Sequence, residues 1–430
     1  MRSGNLRIEQ VPVTRDAEGT PAPAYTAWVN TVGEGFYGKP LTGDRLEQMF
    51  QAYQVDQRVI TAVYDDTRDD QLADPLVPVA TYSSFSKSLN IGAASLPVHM
   101  ITSVTVRPTH RRRGILRKLI VDDLSAAKTA GFAVAALTAT EGTIYGRFGF
   151  GRSTEAQRMD LDVRGDVRFN AEPVGSMIQL APGKLAEHAS GIFERFHANQ
   201  RGSIGRQESY LRLATGAWGP EGQEPDPKLR AALYLDEAGV PQGYVTYAFA
   251  GWDTKPFTLE IRDLVAATPV ARREIFRFMC AHDLIERVSY PYAAADEPLG
   301  WAIEDPARLS FLEREHHLWV RVLDVPAAFA ARSYSGEGAF TLQVTDALGL
   351  AAGSYDFAVF GGRATITRAA DDARATVACH VQVIGSLLMG SATLTQLHAA
   401  GVLQIDDPAE VLRLGAILDL PGLPHAINGF

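Results

Sequence analysis

The pattern of apolar and polar positions along residues 1–159 predicts an α/β fold. Helical spacing of apolar residues and strand-like apolar runs alternate, with helices at 25–36 and 41–53 and strands at 58–64, 77–85 and 101–106. A helix that begins after Gly114 would bury one apolar face, made of Ile115, Leu116, Leu119, Ile120, Leu124 and Ala127. Gly131 suits the end of that helix, and a buried strand is predicted at 132–138.

Residues 160–323 repeat this order of elements. The predicted elements are a hairpin of strands 231–235 and 243–249 with its turn near 237–239, a strand at 259–265 and a helix at 270–279. Thr268 and Pro269 are typical of the N-cap and the first position of that helix.

An arginine pair suggests how the second stretch relates to the first. When Arg272 and Arg273 are set beside Arg112 and Arg113, Glu274 takes the place of Gly114. A carboxylate there would repel an anion, and its side chain would block close approach of a ligand. Residues 160–323 are therefore predicted to be a degenerate copy that keeps the fold without a cofactor.

A third stretch, residues 324–430, follows an extended segment at 319–326. It is predicted to form strands at 340–344, 355–360, 363–367, 376–381 and 394–397, with helices at 385–389 and 408–418. The chain therefore divides into three predicted domains, residues 1–159, 160–323 and 324–430.

Composition is typical of a soluble globular protein with two or three domains, since the 430 residues are 46% hydrophobic and 21% charged. The first residues lack the apolar core of a signal peptide, and no apolar run approaches the ~18 residues that cross a bilayer. A cytoplasmic protein without membrane contact is expected. Cys280 and Cys379 are isolated, which argues against structural disulfides and a zinc site.

Charge is unevenly distributed in a chain with a net charge of −9. Residues 101–130 hold seven Lys or Arg against two Asp, whereas residues 340–430 hold four Arg against eight Asp or Glu. An acidic chain with one basic patch argues against nucleic-acid binding. The pattern fits an anionic cofactor at one point and a cationic substrate near it, although excess carboxylates also serve solubility.

The basic patch has the features of an anion site. A β-branched run ends before Pro108, three arginines follow at residues 111–113, and Gly114 precedes the helix. The N–H groups of a first helical turn are free, and glycine permits close approach of a phosphate. The alternative is a basic turn that caps an ordinary α/β unit.

Two motifs resemble the GNAT superfamily of N-acetyltransferases. Arg111-x-x-Gly114-x-Leu116 is similar to the superfamily's pyrophosphate motif, although Leu116 stands where Gly or Ala is usual. Tyr145-x-x-x-Gly149-Phe150 follows one strand later, as in the superfamily. These motifs, the degenerate second copy and the third stretch together resemble the Eis family of aminoglycoside N-acetyltransferases.

The resemblance implies a fold, a cofactor and an assembly. The expected fold class is α/β (α+β), with tandem GNAT-like mixed sheets, flanking helices and a C-terminal sterol-carrier-protein-like domain. Acetyl-coenzyme A (acetyl-CoA) is the expected co-substrate, without a metal, and a hexamer is the expected assembly. The cofactor would contact Val104, Thr105, Val106, Arg111, Arg112, Arg113, Gly114, Ile115, Leu116 and Thr140.

Two proton-transfer groups are predicted. Tyr145 is the expected general acid, because a phenol with a pKa of ~10 stays protonated at neutral pH. The resemblance assigns the base to the C-terminal carboxylate, which is that of Phe430. The alternatives are a core tyrosine and a disordered tail, but residues 421–430 are nearly uncharged and contain two prolines. His425 is a lone histidine, which is more often structural.

Substrate contacts are expected from Phe36 and Tyr37, with Glu34 and Asp44 as carboxylates for a polycation. Core or surface roles are the alternative for each of these four residues. The leading hypothesis is acetylation of primary amines on polycationic small molecules such as aminoglycosides. Acetylation of protein lysines is the alternative enzyme activity, and a non-catalytic protein that binds coenzyme A or lipid is the alternative of another class.

Overall fold

Three mixed sheets organise the protein in the computed structural model, which describes residues 6–67, 74–139, 141–219, 226–370 and 373–430. Each sheet contains one parallel strand pair among antiparallel ones. Helices cover the sheets, so the predicted α/β class is confirmed. Within the described part of the chain, no helix is long and apolar enough to cross a membrane.

The first part of the chain alternates strands and helices as predicted. Its elements are β1 (Leu6–Val11), α1 (Pro23–Gly35), α2 (Gly43–Val55), β2 (Val59–Asp65), β3 (Ala80–Asn90), β4 (Ser95–Val106), α3 (Ile115–Thr129), β5 (Val134–Thr138), α4 (Gly142–Gly146) and β6 (Gly151–Arg152). Gly114 is the N-cap of α3, and Gly131 follows its last turn with φ of 89°.

The second part builds a sheet of its own. Its elements are β7 (Glu155–Asp162), β8 (Ser176–Leu180), α5 (Pro182–Asn199), α6 (Glu208–Ala214), β9 (Leu229–Leu235), β10 (Pro241–Phe249), β11 (Thr258–Ala266), α7 (Pro269–Cys280), β12 (Arg287–Ala294), α8 (Leu299–Ala302) and β13 (Leu309–His316). The predicted hairpin is β9–β10, and the predicted N-cap is confirmed because the Thr268 side chain accepts a hydrogen bond from the amide of Ala271.

The last part of the chain includes one strand that belongs to the first sheet. Its elements are β14 (Leu318–Val322), α9 (Val325–Ala330), β15 (Gly338–Thr345), β16 (Gly353–Phe360), β17 (Arg363–Arg368), β18 (Val377–His380), α10 (Val381–Met389), α11 (Leu394–Ala399), β19 (Leu403–Gln404) and α12 (Pro408–Leu418). The predicted strand at 394–397 is wrong. Those residues form α11, because Thr393 and Gln396 make a reciprocal capping box that starts a helix.

Sheet order does not follow the linear division of the chain. The first sheet runs β1-β2-β3-β4-β5-β14-β6, so β14 lies between β5 and β6 although the whole second sheet separates them in sequence. The second sheet runs β13-β7-β12-β11-β10-β9-β8, and its strand β7 begins before residue 159. The third sheet runs β17-β16-β15-β18-β19. The segment at 319–326, predicted to introduce the third stretch, therefore completes the first sheet.

Helix α10 of the last part packs directly on β6 and β14. A Cβ at Gly151 would lie 2.1 Å from the carbonyl oxygen of Gln382, and one at Gly385 would lie 2.4 Å from that of Val320. These glycines let backbone approach backbone, because any side chain would clash. A single apolar core spans β3, β4, β5 and β14 of the first sheet and the helices and strands after residue 325. The first and last parts of the chain therefore share one hydrophobic core.

A buried ion pair crosses the same boundary. Arg321 on β14 donates to the carboxylate of Asp346 at 2.6 Å, and both side chains are at most 1% exposed. Burial raises the pKa of Asp346, but Arg321 and two backbone amides outweigh burial and hold the pKa below its ordinary value. The pair therefore adds a charged link to the shared apolar core.

Candidate active site

The site begins where two parallel strands separate. Strands β4 and β5 pair only over Val98–Met100 and Val134–Ala136, and then diverge. Opposite β3, one extra residue of β4 lies near Ser103, whose φ is 54°. Such a bulge bends a strand and increases its twist. The edge of β4 beyond Met100 that faces β5 therefore has backbone groups free to bond an extended ligand.

The loop from Arg107 to Gly114 carries the basic patch. It contains a short 3-10 turn, Pro108–His110, and is anchored by buried His110, whose Nε2 lies 2.9 Å from the Asp65 carboxylate. Hydrogen bonds from Thr67 and His110 lower the pKa of Asp65 to about 2. The sequence analysis did not predict this anchor, because Asp65 and His110 are far apart in the chain.

The helix start after this loop is open to a ligand. Arg112 and Gly114 have φ of 62° and 81°, and a Cβ added at Gly114 would meet nothing within 4 Å. In the described part of the chain, the amides of residues 111–114 donate to no backbone or side-chain acceptor. Free amides at a helix N-terminus attract anions. The loop therefore fits the pyrophosphate of acetyl-CoA, with Gly114 leaving the space that a side chain would fill.

The three arginines differ in their surroundings. Arg111 lines the cleft described below, and its Nε lies 3.4 Å from the carbonyl oxygen of Val106. Arg113 is 3.9 Å from the Asp65 carboxylate. Arg112 is exposed. Ile115 is buried and Leu116 partly buried against the apolar core, so only their backbone amides are placed to contact a cofactor.

A cleft of about 1290 Å³ opens beside the separation of β4 and β5. Tyr145 on α4 lines it and is partly buried, with its ring packed edge-on against Phe150. Within the described residues its hydroxyl has no hydrogen-bond partner. Burial, and then the charge of Glu141, raise the pKa of Tyr145 above its ordinary value. The phenol is therefore protonated at neutral pH and free to donate.

The last residue of the sequence lies in the same cleft. The Thr138 hydroxyl donates to the main-chain oxygen of Phe430 and accepts from its amide at 3.2 Å. The ring of Phe430 packs edge-on against Phe85, with centroids 6.0 Å apart. The structure thus brings together Tyr145 and Phe430, which are distant in sequence.

Distant parts of the chain supply further walls of the cleft that the sequence analysis missed. These lining residues are Arg152, Arg314, Glu315, His316, His317, Trp319, His380 and Gln382. Glu141 and Glu315 form no ion pair within the described part of the chain, whereas Arg314 pairs with Glu155. No local motif marks these residues, because they come from β6, the end of β13, β14, β18 and α10, which are far apart in the chain.

The predicted substrate residues separate into two places. Phe36 lines the cleft. Glu34 and Tyr37 line a neighbouring groove of about 1060 Å³, where Glu34 pairs with Arg107 at 2.6 Å. Tyr37 is 97% exposed. Asp44 is exposed in the first turn of α2.

The remaining predicted positions are also placed. Val104 lines the cleft, whereas the Thr105 hydroxyl lies 2.7 Å from that of Thr81, and Val106 packs against the apolar core. Thr140 lies outside the described residues. His425 does not line the cleft; burial lowers its pKa to about 3, so it is neutral.

The second sheet has no counterpart of the basic loop. Strand β4 and helix α3 are separated by residues 107–114, whereas only Ala267 and Thr268 separate β11 from α7. The predicted match of Glu274 with Gly114 is wrong, because Glu274 lies within α7 and the N-cap equivalent to Gly114 is Thr268. Buried Glu274 pairs with Arg273 and Arg277. The anion site is therefore absent from this junction because the loop is missing.

Comparisons with known proteins agree with this architecture. Residues 22–153 and 202–332 each match an acetyltransferase (GNAT) domain, and residues 325–425 match a sterol carrier protein domain. An uncharacterized N-acetyltransferase of Streptomyces avermitilis is 33% identical over 95% of this chain and 97% of its own length. The N-acetyltransferase Eis of Mycobacterium tuberculosis is 32% identical over 76% of this chain and 79% of its own length.

Solved structures share the whole fold. Eis1 from Mycobacterium abscessus superposes with a TM-score of 0.78 at 22% identity, covering 99% of this chain and 100% of that one. A GCN5-related N-acetyltransferase from Anabaena variabilis gives 0.79 at 16% identity, with 99% and 100% covered. GNAT domains use acetyl-CoA, and the first of the two matched domains carries the open helix start. By sequence relatives that match most of its length, the chain belongs to the Eis family of GNAT N-acetyltransferases and is an acetyltransferase.

Proposed function

We propose that the protein transfers the acetyl group of acetyl-CoA to primary amines of polycationic small molecules such as aminoglycosides. The observation that carries the proposal is that Tyr145 and Phe430 line one cleft beside the open start of α3. When bound, acetyl-CoA supplies the acetyl group as a thioester. The amides of residues 111–116, Arg111 and the free edge of β4 would hold the pyrophosphate and the extended arm.

The two groups divide the proton transfers. The Phe430 carboxylate orients the amine and accepts the proton that nitrogen loses as the N–C bond forms. Tyr145 donates its hydroxyl proton to the sulfur as the C–S bond breaks, and solvent returns a proton to Tyr145. An amide N–H on the free edge of β4 near Val104 would stabilise charge on the thioester oxygen. Among the described residues, Thr138 is the hydrogen-bond partner of the main-chain oxygen of Phe430, and the other oxygen of the proposed carboxylate would be free for the amine.

The preference for a polycation is supported by three carboxylates in the cleft. Glu141 and Glu315 line it and have no ion-pair partner within the described residues, and the Phe430 carboxylate is the third. Each of these carboxylates could pair with one ammonium group of a polycation, so the preference rests on these local contacts and not on the charge of the whole cleft. The cleft is also lined by Arg111, Arg147, Arg152 and Arg314. The family resemblance adds aminoglycosides as the candidate class. Walls from three parts of the chain favour a small molecule over a protein lysine, which needs an open groove.

Domain division and assembly extend the proposal. Residues 1–159 would carry the catalytic domain, residues 160–323 a GNAT-like domain without cofactor, and residues 324–430 the sterol-carrier-like domain that provides the tail. Because β14 lies in the first sheet, the first domain would be incomplete without residues 318–322. The family resemblance predicts a hexamer, which light scattering on the purified protein would test.

Mass spectrometry of reaction products tests the proposed activity. The protein is incubated with acetyl-CoA and, in separate reactions, an aminoglycoside panel, a neutral sugar monoamine and a lysine-rich peptide. The proposal predicts acetylated aminoglycosides, with release of free thiol that depends on the amine. Acetylation of the peptide alone would favour the protein-lysine alternative. Acetyl-CoA binding without any acetylated product would favour the non-catalytic alternative.

A further inference from the structure

The segment that ends in Phe430 is buried although it has no regular secondary structure. After α12 ends at Leu418, the chain crosses the second part of the molecule, and Pro424–Asn428 are all buried there. Ile427 packs in the apolar core formed by α5, β9 and β10. Terminal residues are usually poorly ordered unless something holds them. The second part of the molecule therefore holds the end of the chain.

Hydrogen bonds from the second part reach the tail along its length. The contacts are Arg201 Nη1 to the Pro421 carbonyl (3.0 Å), the Leu423 amide to Asp296 Oδ2 (2.8 Å), the His425 amide to the Arg201 carbonyl (2.8 Å), the Tyr210 hydroxyl to the Ile427 carbonyl (2.9 Å) and His317 Nε2 to the Asn428 carbonyl (2.9 Å). Each fixes a peptide unit, so the path of the backbone is set before it enters the cleft.

A buried charged network contacts Asn428, two residues before the end of the tail. Arg206 Nη2 lies 2.8 Å from Asp263, whose other carboxylate oxygen accepts from the Tyr244 hydroxyl at 2.7 Å. Arg206 Nε donates to the side-chain oxygen of Asn428 at 3.0 Å. The side-chain nitrogen Nδ2 of Asn428 donates to the Ile204 carbonyl at 3.1 Å. The side chains of Arg206 and Asp263 are 4% and 2% exposed. The Arg206 guanidinium thus contacts Asp263 through Nη2 and donates to the tail through Nε.

Burial of this pair is costly unless every polar group is satisfied. Here the Asn428 side chain satisfies one arginine donor, and the arginine orients that side chain in return. Asn428 is two residues from Phe430, and neighbouring Cα atoms are ~3.8 Å apart, so a shift at Asn428 moves the carboxylate with little chain between them to absorb it. A misplacement of ~1 Å at a reacting group can lower a rate about 100-fold.

We infer that the second GNAT domain, which lacks the phosphate loop, positions the Phe430 carboxylate in the active site of the first, with Arg206 as the positioning residue and Asn428 as its contact. The inference rests on the proposed role of Phe430 as the base. It assigns a task to the degenerate copy: Asp263 and Tyr244 of its sheet orient Arg206, and Arg206 orients the tail.

A double-mutant cycle on the full chain tests this role. The changes are Asn428→Ala, which removes the contact with Arg206 but leaves the Arg206–Asp263 pair, and one glycine added after Phe430. We expect each change to lower kcat, Asn428→Ala by about tenfold and the extension by about 100-fold, with the KM for acetyl-CoA unchanged. The protein with both changes should have about the same kcat as the protein with the extension alone, because the extension has already displaced the carboxylate.

Controls separate positioning from stability. Asn170 donates to the carbonyls of Trp301 and Ile303 and is not among the residues that bond the tail, so Asn170→Ala should leave kcat unchanged. Tyr210→Phe, which deletes only the hydroxyl that bonds Ile427, provides a second variant for the same cycle if Asn428→Ala does not fold. Losses that multiply in the doubly changed protein, or an unchanged kcat in Asn428→Ala and Tyr210→Phe, would overturn the positioning role alone. An extended chain of full activity would overturn the proposed base, and this inference with it.

Discussion

At the scale of single residues, the account depends on two proton-transfer groups that reach the cleft by different routes. Tyr145 comes from the short helix α4 beside the first sheet, and a local sequence motif pointed to it as the proposed acid. Phe430 comes from the far end of the chain, and only the family resemblance pointed to it. The contacts of Thr138 and Arg206 with the tail had no sequence motif, because each joins residues from distant parts of the chain.

Replacing Tyr145 with phenylalanine removes the proposed acid and leaves the ring packing. We expect kcat to fall by about 100-fold, within the usual range for general acid catalysis, with little change in the KM for acetyl-CoA. Tyr64→Phe is the control, because Tyr64 belongs to the first sheet and does not line the cleft. Steady-state thiol release measures both parameters, and a Tyr145→Phe protein of wild-type kcat would refute the acid role.

The pH dependence of kcat tests the same residue in another way. An acid must be protonated to act, and the pKa of Tyr145 is raised by burial. The alkaline decrease in kcat that Tyr145 causes should therefore appear only above pH ~10, the ordinary pKa of tyrosine. A decrease centred between pH 7 and 9 that disappears in Tyr145→Phe would mean that the pKa of the phenol is lowered in the folded protein, which would contradict the raised pKa.

At the scale of elements, the β4–α3 and β11–α7 junctions show why one strand-to-helix junction has an open helix start and the other does not. The alternation of strands and helices and the start of α3 at Gly114 were predictable from local pattern. The alignment of α7 with α3 was not predictable in this way. An arginine pair lies inside α7 and a similar pair lies before α3, so matching the two pairs gave the wrong alignment. The position of β14 was also beyond local pattern, because strand order is set by packing across the whole chain.

The two ends of α3 offer a matched pair of glycines. Gly114 and Gly131 have φ of 81° and 89°, and a Cβ at either would meet nothing within 4 Å. Alanine at each should cost a similar amount of stability, about 1–2 kcal/mol, because the backbone is left-handed at both. Only Gly114→Ala should weaken acetyl-CoA binding, by about tenfold or more, since its methyl group would occupy open space at the helix start where the pyrophosphate is proposed to bind. Calorimetric titration with acetyl-CoA compares the two, and equal affinities would remove residue 114 from the cofactor site.

At the scale of the whole molecule, the active site depends on all three sheets. The first sheet receives β14 from late in the chain, the second holds the tail, and the last part provides the tail and the helix α10 that packs on β6 and β14. The ion pair between Arg321 and Asp346 ties the first sheet to the last part inside their shared core.

Breaking that ion pair should destabilise the protein as a unit. Asp346→Ala leaves a buried guanidinium unpaired, at a cost of about 3–5 kcal/mol in the free energy of unfolding. Asp406→Ala, which removes an 83% exposed partner of Arg374, is the control and should stay close to wild type.

The sign of the pH effect follows from the lowered pKa of Asp346. Its contribution is present above the ordinary pKa of ~3.9 and is lost as the pH falls through the lower folded value. Denaturant unfolding at pH 7 and near pH 3 should therefore show a smaller difference between wild type and Asp346→Ala at the lower pH. A difference that is constant or that grows with acidity would contradict the assignment.

The most direct test of the central claim compares turnover and cofactor binding in the protein with and without one residue after Phe430. If the Phe430 carboxylate acts beside Tyr145 at the open start of α3, kcat with an aminoglycoside should fall by about 100-fold while the Kd for acetyl-CoA stays the same. Equal kcat values in the two proteins would contradict the account, because the carboxylate would then have no part in the transfer.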